Sequence, residues 1–191
     1  MPIRALFAFL LALVAGSASS LEQQFPALAA QMGVQLLLPA GAELLPAAPP
    51  TEIDYQLAFC FPGAKYQVRL SLVPCSALQS QSLQGELDEY VPAYAVGLLA
   101  AIAREDLCAS QLRELPLESV QQEFGADYGL TALVKGGNSD FSRGFRNVVV
   151  NVLYRKEVGL VVVYLLYNDP ADLGMDGPDF AAAYYCFRLV D

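Results

Sequence analysis

The 191-residue chain contains no histidine and no tryptophan. Histidine is the usual general base near neutral pH and the commonest protein ligand for transition metals. Its absence excludes Ser-His-Asp and Cys-His catalysis. Four cysteines are present, but no two of them form a CxxC pair. Neither a thioredoxin-like motif nor a zinc knuckle is therefore indicated.

Basic residues are scarce in this chain. It has 11 Lys and Arg against 20 Asp and Glu, which gives a formal net charge of −9. The basic residues are scattered along the sequence and form no cluster that would follow a phosphate backbone. We therefore expect no nucleic-acid partner, and an anionic lipid surface would repel the chain for the same reason.

Long apolar runs are also few. Residues 5–15 (ALFAFLLALVA) form one such run, preceded by Arg4 and followed by small residues. This pattern predicts a signal peptide over residues 1–20, cut after Ala18 or Ser20. The run is shorter than the roughly 20 residues that span a bilayer, and no later run reaches that length. We expect an exported protein, periplasmic or secreted, with no membrane span in the mature chain.

The cysteines are Cys60, Cys75, Cys108 and Cys186, and they allow three pairings if all are oxidised. None lies at the predicted cleavage site to carry a lipid, which favours a soluble mature protein. Cys75 ends a predicted strand and Cys108 follows a predicted helix, so Cys75–Cys108 is a candidate disulfide. The alternative is that some or all of the cysteines are small buried hydrophobic residues.

Two alternating segments give the clearest local pattern. Ile53–Phe61 and Lys65–Leu72 alternate apolar and polar residues and flank the turn sequence Pro62-Gly63-Ala64. Together they predict a β-hairpin. The polar positions of its second strand are Lys65, Gln67, Arg69 and Ser71.

Further strands and helices are predicted along the chain. The segment Leu160–Tyr167 (LVVVYLLY) is apolar on both faces, so it is expected at the centre of a sheet covered on both sides. The other predicted strands are Val34–Leu38, Glu43–Leu45, Tyr128–Lys135 and Phe145–Tyr154. The predicted helices are Leu21–Met32, Asp88–Arg104, Leu117–Phe124 and Pro178–Arg188, and Ser76–Gln84 is predicted to be a loop.

The order of these elements resembles the PsbP/Mog-one-like family. The resemblance covers residues 34–191 and uses the hairpin DYQLAFCFPGAKYQVRLSLVP, the segment FGADYG, the strands of GFRNVVVNVLYRKEVGLVVVYLLYND and a terminal helix. It implies an α+β fold, an antiparallel sheet of about six strands flanked by helices on both faces (an α/β/α sandwich). Residues 34–191 would then be a single domain behind an N-terminal helical segment, 21–33.

Members of that fold family are mostly non-enzymatic accessory or binding proteins, and fold alone does not give function. No ligand motif matches position by position, so no catalytic or cofactor-binding residue is carried over to this chain.

The acidic segment Asn168–Asp179 (NDPADLGMDGPD) is the one metal-site candidate. Asp172, Asp176 and Gly177 match positions 1, 5 and 6 of an EF-hand loop, which makes Asp172 and Asp176 calcium candidates. Position 12 is Ala183, so the bidentate acid of such a loop is missing. The favoured alternative is an acidic turn that ends the central strand and caps the last helix.

Two other patterns are weaker. The segment Gly136–Gly144 is glycine-rich but is followed by a strand, so it predicts a hairpin connection and not a phosphate cradle. Paired acids, Glu86 with Glu89 and Glu118 with Glu123, would suit a two-carboxylate hydrolase, yet they lie on predicted solvated helix faces.

The sequence therefore predicts an exported, non-catalytic binding or accessory protein of the cell envelope. It would engage a protein partner or a small ligand and need no cofactor. The alternatives are a carboxylate-dependent hydrolase and a calcium-dependent structural module. The oligomeric state stays open.

Overall fold

The computed structural model describes residues 18–46, 51, 53–79, 87–103, 112–137, 139–174 and 178–190. The strands in these ranges are β1 Val34–Leu36, β2 Glu43–Leu44, β3 Leu57–Cys60, β4 Tyr66–Pro74, β5 Arg113–Glu114, β6 Tyr128–Lys135, β7 Asn147–Arg155, β8 Gly159–Tyr167 and β9 Phe187–Leu189. The helices are α1 Ala18–Gln31, α2 Cys75–Gln79, α3 Leu87–Ala103, α4 Leu117–Ser119 and α5 Pro178–Tyr184. A π-helical turn, Val120–Phe124, continues α4, and a 3-10 turn, Pro170–Leu173, follows β8.

The main sheet is antiparallel and has seven strands in the order β2-β3-β4-β8-β7-β6-β5. Strand β8 occupies the middle, and all nine of its residues are buried, as its two-sided apolar pattern predicts. The strand number is therefore seven instead of about six. The two edge strands are only two residues long each; β2 lies at the predicted strand Glu43–Leu45, whereas β5 was not predicted.

The predicted hairpin is confirmed by β3 and β4, except that its first strand begins at Leu57 instead of Ile53. Phe59 pairs with Val68 and Leu57 with Leu70, so the apolar positions of the two strands share one face. The turn between the strands closes with a hydrogen bond from the Ala64 N–H to the Phe61 carbonyl, 2.9 Å long. Gly63 takes a positive φ of 79° there, a conformation that suits glycine.

Each face of the main sheet carries its own apolar cluster. The face that bears Val161, Val163 and Leu165 of β8 packs against α1, α5 and β9, and we call it the α1 face. The face that bears Val162 and Tyr164 packs against α2 and α3, and we call it the α3 face. Helices thus contact both sides of the sheet. Within the described ranges, no helix has both the length and the apolar character needed to cross a membrane.

The end of the chain differs from the prediction of one helix over Pro178–Arg188. Helix α5 ends at Tyr184, and Phe187–Leu189 forms β9, which pairs with β1 in a separate two-stranded sheet. The reason is local periodicity. Phe187 and Leu189 are buried while Arg188 between them is exposed, an alternation that only an extended strand provides.

The segment that follows β4 differs as well. Residues Cys75–Gln79 form α2 instead of part of a loop, while residues 80–86 lie outside the described residues. Leu78 is fully buried on the α3 face, which explains why this short segment is helical and packed. Helix α3 and strands β6, β7 and β8 agree with their predicted positions to within two residues.

Candidate functional site

An open groove lies at one end of the main sheet, where β3 and β8 finish and β4 and β7 begin. We call this the groove end. The groove has a volume of about 800 Å³, and a second depression of about 630 Å³ shares part of its wall. The residues lining the larger groove are Cys60, Ala64, Lys65, Tyr66, Gln67, Gly144, Phe145, Asn168, Asp169, Ala171 and Asp172.

Asn168 joins two walls of the groove. Its Oδ1 accepts a hydrogen bond from the Arg146 N–H at 3.0 Å, and its Nδ2 donates to the Gly144 carbonyl at 3.1 Å. The Nδ2 of Asn147 donates to the Asn168 carbonyl at 2.9 Å. These bonds hold the β6–β7 loop against the end of β8, so this part of the wall is organised without a ligand.

The 3-10 turn after β8 forms another wall through a reciprocal cap. Asp169 Oδ1 accepts from the Ala171 N–H at 2.9 Å, and Asp172 Oδ2 accepts from the Asp169 N–H at 2.9 Å. The second oxygen of Asp172 lies 3.6 Å from Lys65 Nζ. Both carboxylates therefore serve the turn itself, as capping groups commonly do.

This arrangement bears directly on the calcium candidates. Asp172 uses both of its oxygens in the cap and the ion pair, and Asp176 lies outside the described residues. Among the residues that are described, no three His, Cys, Asp or Glu side chains come together as a metal site. Calcium at Asp172 and Asp176 stays a prediction.

Gln67 connects the groove wall to a buried cation. Its Oε1 accepts two hydrogen bonds from Arg69, one from Nε at 2.9 Å and one from Nη2 at 2.7 Å. Arg69 lies on the α3 face of β4 and is only 8% exposed. The alternating pattern of the hairpin had placed Gln67, Arg69 and Ser71 on a polar face, yet Arg69 and Ser71 are both buried.

The surroundings of Arg69 are aromatic. Its Cζ lies 4.8 Å from the ring centroids of both Tyr55 and Phe141, and Nη1 donates to the Phe141 carbonyl. Within the described part of the chain, no carboxylate oxygen lies within 4.0 Å of the guanidinium. Burial lowers the pKa of Arg69, and the nearby hydroxyls of Tyr55 and Tyr164 oppose that effect.

A second polar group lies next to Arg69 on the same face. Ser71 Oγ donates to the Asp54 carbonyl at 2.6 Å and lies 3.3 Å from the Tyr164 hydroxyl. Burial raises the pKa of the half-buried Asp54 carboxyl, and burial also raises the pKa of Tyr164. These contacts fasten the segment before β3 to the centre of the sheet.

The glycine-rich segment Gly136–Gly144 joins β6 to β7, as the hairpin interpretation predicts. Ser142 Oγ accepts from the Gly137 N–H at 2.8 Å and lies 2.8 Å from Ser139 Oγ. Both serines are buried, and their hydroxyls satisfy the loop itself. Arg143, near the end of the segment, pairs with Asp140. The loop therefore forms one wall of the groove.

Among the other predicted residues, Cys75, Glu118 and Glu123 are described and do not line the groove. Cys75 is buried at the start of α2, while Cys108 lies outside the described residues, so the disulfide stays a prediction. Glu118 and Glu123 are exposed on α4 and the π-helical turn. Glu86 and the side chain of Glu89 are not described.

The sequence reasoning missed Gln67 and Arg69 as site residues. One signal was available, because β8 was expected to be covered on both faces. A strand that pairs with β8 along its whole length, as β4 does, is covered on both faces as well. A polar residue at an inward position of such a strand is buried, and a buried cation then needs an explanation.

Comparisons with known proteins add a likeness in structure alone. No protein-family model matches the chain, and no curated protein matches it. Among solved structures, the chain is similar to the solution structure of cyanobacterial PsbP (CyanoP) from Synechocystis sp. PCC 6803, with a TM-score of 0.40 and 15% sequence identity. The match covers 83% of this chain and 88% of that chain. The resemblance to PsbP seen in the order of elements is found again here, and at this similarity it assigns no partner, ligand or activity.

Proposed function

We propose that the chain is an exported, non-catalytic binding or accessory protein of the cell envelope, and that the groove is where it engages its ligand. The observation that carries this proposal is the way the groove walls are built. Three separate segments, the β3–β4 turn, the β6–β7 loop and the 3-10 turn, are fixed there by their own hydrogen bonds. Pre-formed concave sites with a few placed polar groups are typical of ligand binding.

The chemistry of the groove supports binding over hydrolysis. A two-carboxylate hydrolase needs one acid to donate a proton and another to act as nucleophile or base. The groove acids Asp169 and Asp172 instead accept backbone hydrogen bonds within the 3-10 turn. The chain also has no histidine that would replace them as a base.

The proposed export is compatible with the packing of α1. Its side chains Phe25, Ala29 and Met32 belong to the cluster on the α1 face. A cut after Ala18 or Ser20 would leave all three residues in the mature chain, so processing would not remove any of this packing. Residues 1–17 lie outside the described residues, and the signal peptide rests on their sequence pattern.

The binding proposal is tested by NMR on residues 21–191 with a defined panel of sugars, amino acids, dicarboxylates and phosphate esters. We expect a panel member to shift backbone resonances of residues 60–67, 144–146 and 168–172. Ala171→Trp should abolish those shifts because Ala171 lines the groove. Ala181→Trp, an exposed control position on α5, should leave them unchanged. Shifts that survive Ala171→Trp, or a panel without effect at these residues, would contradict the proposal.

The calcium alternative has its own measurement. Because Asp172 is engaged by the Asp169 N–H and by Lys65, we expect no saturable heat when calcium chloride is titrated into residues 21–191 in a calorimeter. A saturable heat that is lost in both Asp172→Asn and Asp176→Asn would instead establish the calcium-dependent module.

A further inference from the structure

We propose that Arg69 anchors an oxyanion subsite next to Gln67 of the groove wall, so that the ligand of the groove carries a carboxylate or phosphate group. This inference rests on the proposed function, because it names the chemical class of ligand that the same groove takes.

The first argument is the uncompensated charge. Arg69 is more than nine-tenths buried, and no carboxylate oxygen among the described residues lies within 4.0 Å of it. Burying a charged group is unfavourable unless the group is paired and hydrogen-bonded. Two ring faces and two neutral oxygens compensate part of this charge. An anionic ligand would neutralise the charge that remains.

The second argument is the remaining hydrogen-bonding capacity. A guanidinium has five N–H donors. In the structure, Nε and Nη2 each donate once to Gln67 Oε1, and Nη1 donates once to the Phe141 carbonyl. One N–H on each terminal nitrogen is left. The rings of Tyr55 and Phe141 both lie against the guanidinium, 4.8 Å from its Cζ. A new partner would therefore approach the edge of the guanidinium, the geometry that suits a carboxylate or phosphate.

The third argument is the link to the groove. Gln67 lines the groove and accepts both of its bonds from Arg69 through Oε1. This fixes the orientation of the amide and leaves its two Nε2 donors for another partner. Lys65, which also lines the groove and pairs with Asp172, adds a positive charge on a side chain that is 78% exposed. An oxyanion in the groove would therefore meet the donors of Gln67 and Lys65, and would reach Arg69, which does not itself line the groove, next to Gln67.

The competing explanation is that Arg69 is only a structural clamp between β4 and the β6–β7 loop. Asp54 lies on the same face, but its carboxylate makes no ion pair with Arg69 within 4.0 Å. A carboxylate from outside the described residues would also neutralise Arg69 without any ligand. Both explanations predict that added oxyanions leave Arg69 unaffected, so one experiment separates them from the proposal.

The experiment titrates inorganic phosphate, and in a second arm succinate, into residues 21–191 at constant ionic strength adjusted with sodium chloride. The readouts are the melting temperature and the NMR signal of the Arg69 Nε–Hε group. We expect at least one oxyanion to raise the melting temperature saturably and to shift the Arg69 signal, since a ligand that binds only the folded state stabilises it. The arm that responds tells phosphate from carboxylate.

Variants then locate the effect. Gln67→Leu keeps the cation and removes the amide, and we expect it to weaken oxyanion binding about ten-fold. Arg69→Met should abolish the saturable response, and Arg143→Met, an exposed arginine paired with Asp140, should retain it. If Arg69→Met does not fold, Gln67→Leu and the Arg69 signal of the unaltered chain still distinguish an oxyanion subsite from a structural clamp.

The opposite results overturn the inference. A rise that never saturates, a rise that Gln67→Leu leaves unchanged, or an Arg69 signal that neither anion shifts would each make Arg69 a structural clamp only. If a panel compound still binds the groove under those conditions, the binding function stands and only the oxyanion class is wrong. If nothing binds the groove, both proposals fall.

Discussion

The two ends of the main sheet differ in how closely their connecting segments are packed. At the end where β7 turns into β8, which we call the turn end, backbone packs directly on backbone. A Cβ added to Gly159 would collide with the Val73 carbonyl and would lie 2.9 Å from the Cys75 nitrogen. At the groove end, a Cβ added to Gly63 or Gly144 would meet nothing within 4 Å, although one added to Gly136, where β6 ends, would lie 2.6 Å from the Phe145 carbonyl oxygen.

The length of the connections explains this difference. The turn end joins β7 and β8 by three residues, and the Cys75 N–H donates to the Val158 carbonyl at 2.9 Å, which leaves no room between segments. The groove end joins β6 and β7 by residues 136–146, and side-chain bonds of Asn168 and Ser142 hold that longer loop. Backbone contacts close the turn end, whereas side-chain bonds, in addition to the bond from the Gly136 N–H to the Arg146 carbonyl, hold the longer loop at the groove end. Binding sites are commonly formed by such loops on a rigid scaffold.

The largest expected loss of stability comes from a substitution at the turn end. Gly159 has a φ of 136°, so Gly159→Ala combines a strained backbone with an overpacked contact, and we expect a loss of about 3 kcal/mol in the free energy of unfolding. Gly144→Ala, where φ is 90° and space is free, should lose about 1 kcal/mol. Urea unfolding measures both values. Equal losses would show that the two ends do not differ in packing.

The next largest changes in the free energy of unfolding are expected at two asparagines of β7. Asn147, at the groove end, accepts from Lys135 Nζ at 3.0 Å and donates to the Asn168 carbonyl at 2.9 Å. Asn147→Val should therefore lower the free energy of unfolding by about 1–2 kcal/mol. Asn151 is equally buried, but its Oδ1 has no hydrogen-bond partner in the described part of the chain.

Asn151→Val should consequently raise the free energy of unfolding by about 1 kcal/mol, because it removes an unsatisfied buried oxygen. The same urea experiment gives both signs. A destabilised Asn151→Val variant would mean that the amide is satisfied in the folded protein. The polar groups of β7 would then be equally well bonded at the groove end and in the middle of the sheet.

A smaller effect concerns the 3-10 turn at the groove end. Asp169→Ala removes the acceptor for the Ala171 N–H, and we expect a loss of about 1 kcal/mol together with faster hydrogen exchange of residues 171–174. Lys65→Met removes the 3.6 Å ion pair between an exposed lysine and Asp172, and it should change stability by less than about 0.5 kcal/mol. If Lys65→Met proves the more harmful change, the charge pair and not the cap holds this wall.

The smallest effect is a pH dependence at Asp54, which lies between the two ends. Burial raises the pKa of this carboxyl above its ordinary value of 3.8, so the folded protein holds the proton more tightly than the unfolded chain. The free energy of unfolding therefore falls as pH rises from about 3.8 through the raised pKa. The Asp54→Asn variant lacks this fall.

Urea unfolding at several pH values measures this difference. Asp54→Asn should gain stability relative to the unaltered chain as pH increases, while Asp140→Asn, in an exposed pair with Arg143, serves as the control. A constant difference across that range would show that the Asp54 carboxyl is not perturbed by folding.

Local periodicity predicts most of the sheet. The hairpin of β3 and β4 and the strands β6, β7 and β8 follow from alternation and from two-sided apolar character. The prediction fails at β9, where Phe187 and Leu189 follow a helical segment directly. Their strand depends on pairing with Val34–Leu36, about 150 residues earlier, and such long-range pairing leaves no signal in a local window.

The candidate site was predictable only in part. Asp172 was singled out for calcium, and the structure engages its carboxylate in the cap of the 3-10 turn that lines the groove. Gln67 and Arg69 were assigned to the polar side of a half-buried strand because alternation alone cannot tell whether that side is covered. The cover comes from Tyr55 and Phe141, which belong to other segments.

The sequence by itself determined which chemistries are excluded and which strand is central. Without histidine there is no His-dependent catalysis, and a segment apolar on both faces must be covered on both faces to avoid water. Only the tertiary structure decided that Arg69 is buried with no carboxylate of the described residues within 4.0 Å, and that three loops meet in a groove lined by its partner Gln67. The physical reason is the sequence separation of the residues that interact. The apolar and polar pattern of a strand can be read from neighbouring residues. A groove and the environment of a charge depend instead on segments distant in sequence that only folding brings together.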